Sequence, residues 1–292
     1  MKYKKIGLVL AGGGGKGAYQ VGVWKFFKEI GLDEHIEVIS GTSVGALNAT
    51  LFALKDYPDC EKIWKSEIKE KILLKNKNHQ SMINQIGTLL SSDITPEKCF
   101  GVLKNLKKDG LYSRDGLLDI INSIDISKLR ECNKAIYATC TEVPFLKTKS
   151  FKLNDRNTND IKKILLATSA IPGVFKIEQI DGKTYYDGGL MDNEPEIPLI
   201  TEGCTHHIII YLKDDVTDTP NNERIIIAPS KDLGNIITGT LNFEMSKISE
   251  LIALGYKDAS KYRVTLERLF QPQKVSSIKG NYGYKRIREW GS

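Results

Sequence analysis

A serine between two glycines is the feature of this sequence whose chemistry is most evident. The pentapeptide Gly41-Thr42-Ser43-Val44-Gly45 has the form G-x-S-x-G and follows a short apolar run at residues 36–39. Where a strand turns sharply into a helix, such a serine sits on a tight elbow with its hydroxyl exposed, and the glycines Gly41 and Gly45 leave room for the turn. The pattern predicts Ser43 as a nucleophile, although the pentapeptide alone also fits an ordinary turn.

A glycine-rich loop precedes the serine, between a predicted strand and a predicted helix. Its sequence is Gly12-Gly13-Gly14-Gly15-Lys16-Gly17. A P-loop requires glycine at position 10, where this chain has Leu10, and Ser or Thr after the lysine, so that pattern fails. The dinucleotide fingerprint G-x-G-x-x-G is matched, but the acidic residue that should end the second strand is missing.

An oxyanion hole is the third use of such a loop. Consecutive glycines let backbone N–H groups approach an acyl oxygen closely and stabilise the negative charge that develops on it. Adjacent parallel strands would present the loop and the serine elbow at one edge of a sheet. We therefore expect the N–H groups of Gly13, Gly14 and Gly15, with that of Val44, to bind an oxyanion. Lys16 would add positive potential there, or else lie in solvent at the start of the helix.

The base that a serine nucleophile requires is less evident, because the usual histidine is poorly placed. The chain has four histidines: His35, His79, His206 and His207. Three of them lie at the amino ends of predicted strands, away from the elbow, and the fourth lies in a lysine-rich helical region. Asp187, which begins the glycine turn of residues 187–189 after a predicted strand, could accept the proton instead. Asp214 and Asp215 follow another predicted strand and are rival acids.

The elements that must position these residues follow from hydrophobic periodicity. The N-terminal part reads as a strand at about residues 5–10, the glycine loop, a helix at about 17–30 ended by Gly31, a second strand, the elbow and a second helix. Further strands are predicted at 135–139, 148–153, 183–186, 207–212 and 224–227, and further helices at 161–169, 233–240 and 246–262. This alternation predicts an α/β fold with three layers, α/β/α, around a mostly parallel central sheet.

The domain organisation is simple. Residues 1–262 are predicted to form a single catalytic domain, within which the lysine-rich region 55–110 is either a helical cap over the site or a plain outer layer. Residues 263–292 are predicted to be a basic tail. From Lys261 to the C-terminus there are eight basic and two acidic residues, a surplus equal to the whole chain's net charge of +6. Such a tail can contact an anionic membrane surface or remain solvated, and no nucleic-acid-binding motif accompanies it.

Composition limits the remaining possibilities. The chain is 41% hydrophobic and 27% charged, which is ordinary for a globular protein, and no apolar run reaches the ~20 residues of a membrane span. Its five cysteines are odd in number and include no C-x-x-C, which favours free thiols over a disulfide framework or a zinc site. We therefore expect a cytoplasmic protein without a metal or a cofactor.

Three motifs, taken in order and with their spacing, resemble those of the patatin-like phospholipase family. They are the glycine loop at residues 12–17, the G-x-S-x-G elbow about 25–30 residues later, and the distant Asp187-Gly188-Gly189. Stretches at residues 18–23, 111–118, 167–172 and 254–259 are also similar to bacterial members. The resemblance covers about residues 5–262, is weakest over 55–110 and is absent from the basic tail.

The resemblance implies a patatin-like fold and a Ser43–Asp187 dyad in place of a triad, with the glycine loop as oxyanion hole. It implies hydrolysis of lipid carboxylic esters, as in a phospholipase A or an esterase, through an acyl-enzyme and without a metal. An acyltransferase or a thioesterase would use the same dyad. A Rossmann-type nucleotide binder and a catalytically silent lipid-binding module remain further alternatives.

Overall fold

The computed structural model describes residues 4–67, 115–221 and 223–270, and within them eight strands form one sheet. The strands are β1 (Ile6–Leu10), β2 (Ile36–Thr42), β3 (Ala135–Val143), β4 (Lys147–Lys152), β5 (Glu178–Ile180), β6 (Lys183–Asp187), β7 (His206–Ile210) and β8 (Arg224–Ile227). The α-helices are α1 (Ala18–Ile30), α2 (Val44–Leu54), α3 (Tyr57–Lys62), α4 (Asp115–Ser123), α5 (Thr158–Thr168), α6 (Ile197–Thr201), α7 (Met245–Ser260) and α8 (Arg263–Phe270).

The strand order is β5-β6-β3-β2-β1-β7-β8, and β4 pairs with β3 off this path. The five strands β3, β2, β1, β7 and β8 are parallel neighbours, whereas β4, β5 and β6 pair antiparallel. The predicted α/β fold with a mostly parallel sheet is therefore confirmed. Because β1 and β2 are adjacent and parallel, the glycine loop after β1 and the elbow after β2 emerge at the same edge of the sheet.

Strand β3 joins the two halves of the sheet. One of its edges pairs with β4 over residues 137–142, so β2 and β6 must share the other edge. On that edge Thr42, the last residue of β2, pairs with Thr139, and Asp187, the last residue of β6, pairs with Cys140. Two strands that run in opposite directions thus end against consecutive residues of β3.

Side chains alternate between the two faces of the sheet, and each face has its own core. The larger core lies between one face and the helices α1, α2, α4, α5, α7 and α8, and it includes Trp24, Phe26, Phe27 and Trp64. On the other face, Leu199 of α6 and Tyr211 pack on Val9, Val38, Ile209 and Ile226. Burial on both faces explains why the parallel strands read as nearly continuous apolar runs.

Helices α1 and α7 cross at very short range. A Cβ on Gly22 would lie 1.9 Å from the carbonyl oxygen of Ile252, and a Cβ on Gly255 would lie 2.0 Å from that of Tyr19. Only glycine permits this approach. Beside the crossing, the buried Asp258 accepts hydrogen bonds from the Ser230 N–H and the Lys261 ammonium. Helix α7 is therefore an integral part of the domain.

The structure refines several sequence-based boundaries. The helix predicted at 233–240 is only a single π-helical turn, Ile236–Thr240, and neither β5 nor α6 was predicted. Residues 263–270 of the predicted tail form α8, whose Leu266 and Leu269 are buried. Residues 271–292 lie outside the described residues, as do residues 68–114, which include most of the predicted cap at 55–110. In the described ranges, no helix is both long enough and apolar enough to cross a membrane.

Candidate active site

Ser43 lies on the elbow between β2 and α2. Its backbone has φ 54° and ψ −125°, a conformation that costs energy for a residue with a side chain and that clusters at functional sites. Its N–H donates to the Thr168 hydroxyl at 2.9 Å, and that hydroxyl donates in turn to the carbonyl of Thr139. The strained turn is thus fixed from α5 and β3.

The two elbow glycines are required by space. A Cβ on Gly41 would lie 2.3 Å from the carbonyl carbon of Gly45, and a Cβ on Gly45 would lie 2.1 Å from the carbonyl oxygen of Leu10. The close approach lets α2 begin directly after Ser43, so the positive end of the helix dipole lies beside the hydroxyl. Neither position has room for a side chain.

Asp187 ends β6 and is almost completely buried, with 3% of its surface exposed. Its N–H donates to the Ala170 carbonyl at 3.0 Å, and its Oδ1 accepts the N–H of Gly189 at 2.8 Å. Burial raises the pKa of Asp187 to about 7, and hydrogen bonds from the Gly189 N–H and the Ser43 hydroxyl oppose that rise. The structure therefore brings together a hydroxyl and a carboxyl that can exchange a proton near neutral pH.

Gly188 and Gly189 complete the turn after Asp187. A Cβ on Gly188 would lie 2.3 Å from the Thr139 carbonyl oxygen, and a Cβ on Gly189 would lie 3.1 Å from Asp187 Oδ1. Small residues here let the turn fold back and give the carboxylate a backbone donor.

The glycine loop runs past the elbow and enters a short 3₁₀ turn, Gly14–Gly17, ahead of α1. A Cβ on Gly12 would lie 3.2 Å from Ser43 Cβ. The Lys16 N–H donates to the Gly13 carbonyl. Within the described part of the chain, the N–H groups of Gly13, Gly14 and Gly15 donate no hydrogen bond. Such orphan donors are expected in the first turn of a helix.

The far side of this loop packs against residues 239–242. A Cβ on Gly14, which has φ 55°, would lie 2.2 Å from the Thr240 carbonyl oxygen, and a Cβ on Gly15 would lie 2.1 Å from that of Asn242. The Lys16 side chain covers Gly239. Burial lowers the pKa of Lys16, and the charges of Asp232, Asp214 and Asp215 oppose that shift.

The rival bases occupy other surroundings. Asp214 and Asp215 are exposed, and their charges raise the pKa of Lys16 against the effect of burial. His207 contacts Glu196 and the Cys204 carbonyl at the amino end of β7, next to His206, as predicted. His35 stacks on Phe270, and His79 lies outside the described residues.

Asn193 is a site residue that the sequence reasoning missed. Its carbonyl accepts the Gly12 N–H at 3.2 Å, and its Nδ2 donates to the Gly12 carbonyl at 3.3 Å. The neighbouring Asp192 carbonyl accepts the Thr42 hydroxyl at 2.8 Å. The turn after Asp187 is thereby attached to both the glycine loop and β2. Only its position shortly after the Asp-Gly-Gly motif could have drawn attention to Asn193.

The ranges that the structure describes have no cluster of side chains that could bind a metal ion. They contain no group of three or more His, Cys, Asp or Glu residues that could hold an ion. The described cysteines, Cys60, Cys132, Cys140 and Cys204, are free thiols.

The chain belongs to the patatin-like phospholipase family, whose sequence profile matches residues 8–200. That range contains the glycine loop, the serine elbow and the Asp-Gly-Gly turn. Among curated proteins, lysophospholipase nte1 of Aspergillus terreus is 50% identical over 50 residues, and lysophospholipase NTE1 of Chaetomium globosum is 42% identical over 50 residues. Each match covers 17% of this chain and 3% of the relative, so the chain corresponds to a small part of those proteins.

A solved structure shares the fold. VipD from Legionella pneumophila superposes with a TM-score of 0.53 at 15% sequence identity, over 92% of this chain and 67% of that one. At this identity the likeness concerns the fold alone, and it agrees with the mostly parallel sheet described above.

Proposed function

We propose that this protein is a serine lipid acyl hydrolase, which cleaves carboxylic esters of lipids with Ser43 as nucleophile and Asp187 as base. The observation that carries the proposal is the contact between the hydroxyl of a strained elbow serine and a buried carboxyl whose pKa is about 7. Membership of the patatin-like phospholipase family supports the lipid ester as the class of substrate.

Acylation follows from this geometry. The Asp187 carboxylate takes the proton of Ser43 Oγ as that oxygen attacks the acyl carbonyl carbon, which gives a tetrahedral intermediate. The protonated Asp187 then gives its proton to the leaving alcohol, and an acyl-Ser43 ester remains. An aspartic acid with an ordinary pKa would be a weak base at neutral pH, so the burial of Asp187 improves the match.

Deacylation reverses the roles. Asp187 takes a proton from a water molecule that attacks the acyl-Ser43 carbonyl, and then returns the proton to Ser43 Oγ as the fatty acid departs. No further protein base is required, which agrees with the distance of the described histidines from the elbow.

Those N–H groups of the glycine loop that donate no hydrogen bond within the described residues are the proposed oxyanion hole. Gly13, Gly14 and Gly15 provide donors, and Val44, which follows Ser43, provides the first N–H of α2. Removing one such donor from an enzyme typically costs about 3–4 kcal/mol of transition-state stabilisation. Lys16 adds positive potential beside the loop.

Contact with an anionic lipid surface is part of the proposal. Strand β3 continues from Cys140 to Val143, so the turn at residues 144–146 lies roughly 10–13 Å beyond the level of Asp187 along the strand. On this turn Phe145 is 70% exposed, and the exposed Lys147 places its Nζ 5.7 Å from the Phe145 ring centroid. An aromatic ring beside a lysine suits the boundary between headgroups and acyl chains. The free thiols suit a reducing compartment, so we expect a cytoplasmic protein that meets the membrane peripherally.

Labelling with a fluorophosphonate probe followed by peptide mapping tests the proposal, on the wild type and on the Ser43→Ala and Asp187→Asn variants. We expect label on Ser43, none on that peptide in Ser43→Ala, and much slower labelling in Asp187→Asn. A wild-type protein that takes no label, beside a control hydrolase that does, would contradict the proposal. Product analysis with an added alcohol, an added thiol and thioester substrates then distinguishes hydrolysis from acyl transfer and from thioesterase activity.

A further inference from the structure

Two buried amide side chains hold the two ends of the glycine loop. Gln20 Nε2 donates to the Ala11 carbonyl at 2.8 Å, immediately before the loop. Asn48 Nδ2 donates to the Gly17 carbonyl at 3.0 Å, at the last residue of the loop. Gln20 belongs to α1 and Asn48 to α2, so each end of the loop is attached to a different helix.

The two amides are also bonded to each other and to an indole. Asn48 Nδ2 donates to Gln20 Oε1 at 2.8 Å, and Trp64 Nε1 donates to Asn48 Oδ1 at 2.9 Å. All three side chains are fully buried. An indole N–H can only donate, so it fixes the oxygen of Asn48, which then fixes the orientation of Gln20. Hydrogen-bond donation therefore runs in one direction, from Trp64 through Asn48 and Gln20 to Ala11.

The network connects the two halves of the candidate site. Asn48 lies on the helix that begins directly after Ser43, whereas Gln20 lies on the helix that begins directly after the glycine loop. Apolar side chains would fill the same volume without burying amides, whose desolvation is costly unless every group is bonded. What amides add is a fixed distance between the helix that follows the nucleophile and the loop whose N–H groups are the proposed oxyanion hole.

We propose that Gln20 and Asn48 are positioning residues that hold the glycine loop at its distance from Ser43, and that Trp64 fixes their orientation. The inference rests on the proposed function, because it concerns how the loop serves as oxyanion hole. A displacement of the loop by a fraction of an ångström would weaken the bond to the developing oxyanion more than it would weaken substrate binding. Displacement of the loop should therefore lower kcat and leave KM nearly unchanged.

Two variants test the inference from opposite ends of the network. Gln20→Met keeps the length of the side chain and frees the Ala11 carbonyl, whereas Trp64→Phe removes the indole N–H and keeps an aromatic ring. Thr50→Val is the matched control, because Thr50 is buried on α2 and its hydroxyl donates to the Ala46 carbonyl of the same helix. The measurements are kcat and KM on a water-soluble ester, the rate of fluorophosphonate labelling at Ser43, and the thermal midpoint.

We expect kcat and the labelling rate to fall together by about 10- to 100-fold in Gln20→Met and Trp64→Phe, with KM within about twofold of the wild-type value. Thr50→Val should retain the wild-type kcat and labelling rate, even if its thermal midpoint falls as far as those of Gln20→Met and Trp64→Phe. If folded Gln20→Met or Trp64→Phe protein kept the wild-type kcat, or lost no more than Thr50→Val, the inference would be wrong while the proposed function stood. A wild-type protein without label at Ser43 would overturn both.

Discussion

Thr42 and Asp187 pair with consecutive residues on one edge of β3, and this relationship places the serine elbow beside the carboxylate. Thr42 is the last residue before Ser43, and it faces Thr139, while Asp187 faces Cys140. A parallel strand and an antiparallel strand thus deliver the two members of the proposed dyad to the same point. Neither side chain needs a long loop to reach the other, which explains how both are held while almost fully buried.

Replacing Asp187 with asparagine should abolish most of the activity. The amide keeps the size of the side chain but cannot accept the Ser43 proton, and general bases typically contribute about 10²- to 10⁴-fold. We expect kcat for ester hydrolysis to fall by at least about 100-fold. Asp192→Asn is the matched control, because Asp192 belongs to the same turn and burial also raises its pKa, to about 6. Equal losses in both variants would contradict the role of Asp187.

The rate should rise with pH through neutrality. Burial raises the pKa of Asp187 to about 7, so below that pH the carboxyl is mostly protonated and cannot act as a base. We expect kcat/KM to increase from pH 5 to pH 8 with a midpoint near 7, measured on an uncharged soluble ester. A rate that is already at its plateau at pH 5 would show that the base has an ordinary carboxyl pKa.

The same titration should act on stability with the opposite sign. The folded state raises the pKa of Asp187 from about 4 to about 7, so it holds a proton that the unfolded chain releases. The contribution of this group to the free energy of unfolding is present below about pH 4 and is lost as the pH rises to about 7. Urea denaturation of wild type and Asp187→Asn between pH 4 and pH 8 measures the free energy of unfolding of each. As the pH rises, the difference between the two values should shift in favour of the variant. A difference in unfolding free energy that stays constant over this pH range would show that the pKa of Asp187 is not raised.

The crossing of α1 and α7 should not tolerate a methyl group. In Gly22→Ala the new Cβ would lie 1.9 Å from the Ile252 carbonyl oxygen, so the helices must move apart. Overpacking of this kind costs about 1–3 kcal/mol of unfolding free energy, or more where backbone must shift. Gly203→Ala is the control, because its Cβ meets nothing within 4 Å and only the φ of 74° is unfavourable. Urea denaturation should rank Gly22→Ala as clearly the less stable variant.

The exposed aromatic of the β3–β4 turn should matter only for lipid surfaces. Phe145→Ser removes an apolar contact worth up to about 2 kcal/mol, which corresponds to a weakening of vesicle binding by up to about 30-fold. Hydrolysis of a water-soluble ester should stay unchanged. Ile200→Ser on α6 is the control, since Ile200 is 57% exposed on an element distant in sequence. Sedimentation with vesicles that contain anionic lipid measures the difference, and equal binding by both variants would contradict this contact.

Local patterns were sufficient for the elements that carry the site. The apolar runs predicted β1, β2 and β8 closely, and Gly31 ends α1 with φ 76°, as a C-terminal glycine should. The adjacency of β1 and β2 followed from their order in the chain. These features depend on interactions between residues that are near one another in sequence, and a single sequence displays such interactions directly.

Long-range features could not be predicted in this way. The meeting of β2 and β6 on β3 depends on the pairing of Thr42 with Thr139, 97 residues later, and of Cys140 with Asp187, 47 residues later. No local pattern encodes either pairing. Gln20 and Asn48 look like ordinary helix residues until the helices are packed together. The segment at 236–240 has a helical pattern, but its backbone fits against Gly14 and Gly15, so tertiary contact decides its shape.

The end-to-end arrangement of β2 and β6 has a consequence for synthesis in the cell. The serine elbow leaves the ribosome 144 residues before its carboxylate, which follows only after β3 has been made. A nascent chain that stops before β6 therefore contains Ser43 without Asp187. The proposed lipid-cleaving activity therefore cannot arise before β6 has been translated, and a product truncated before β6 would lack the proposed base.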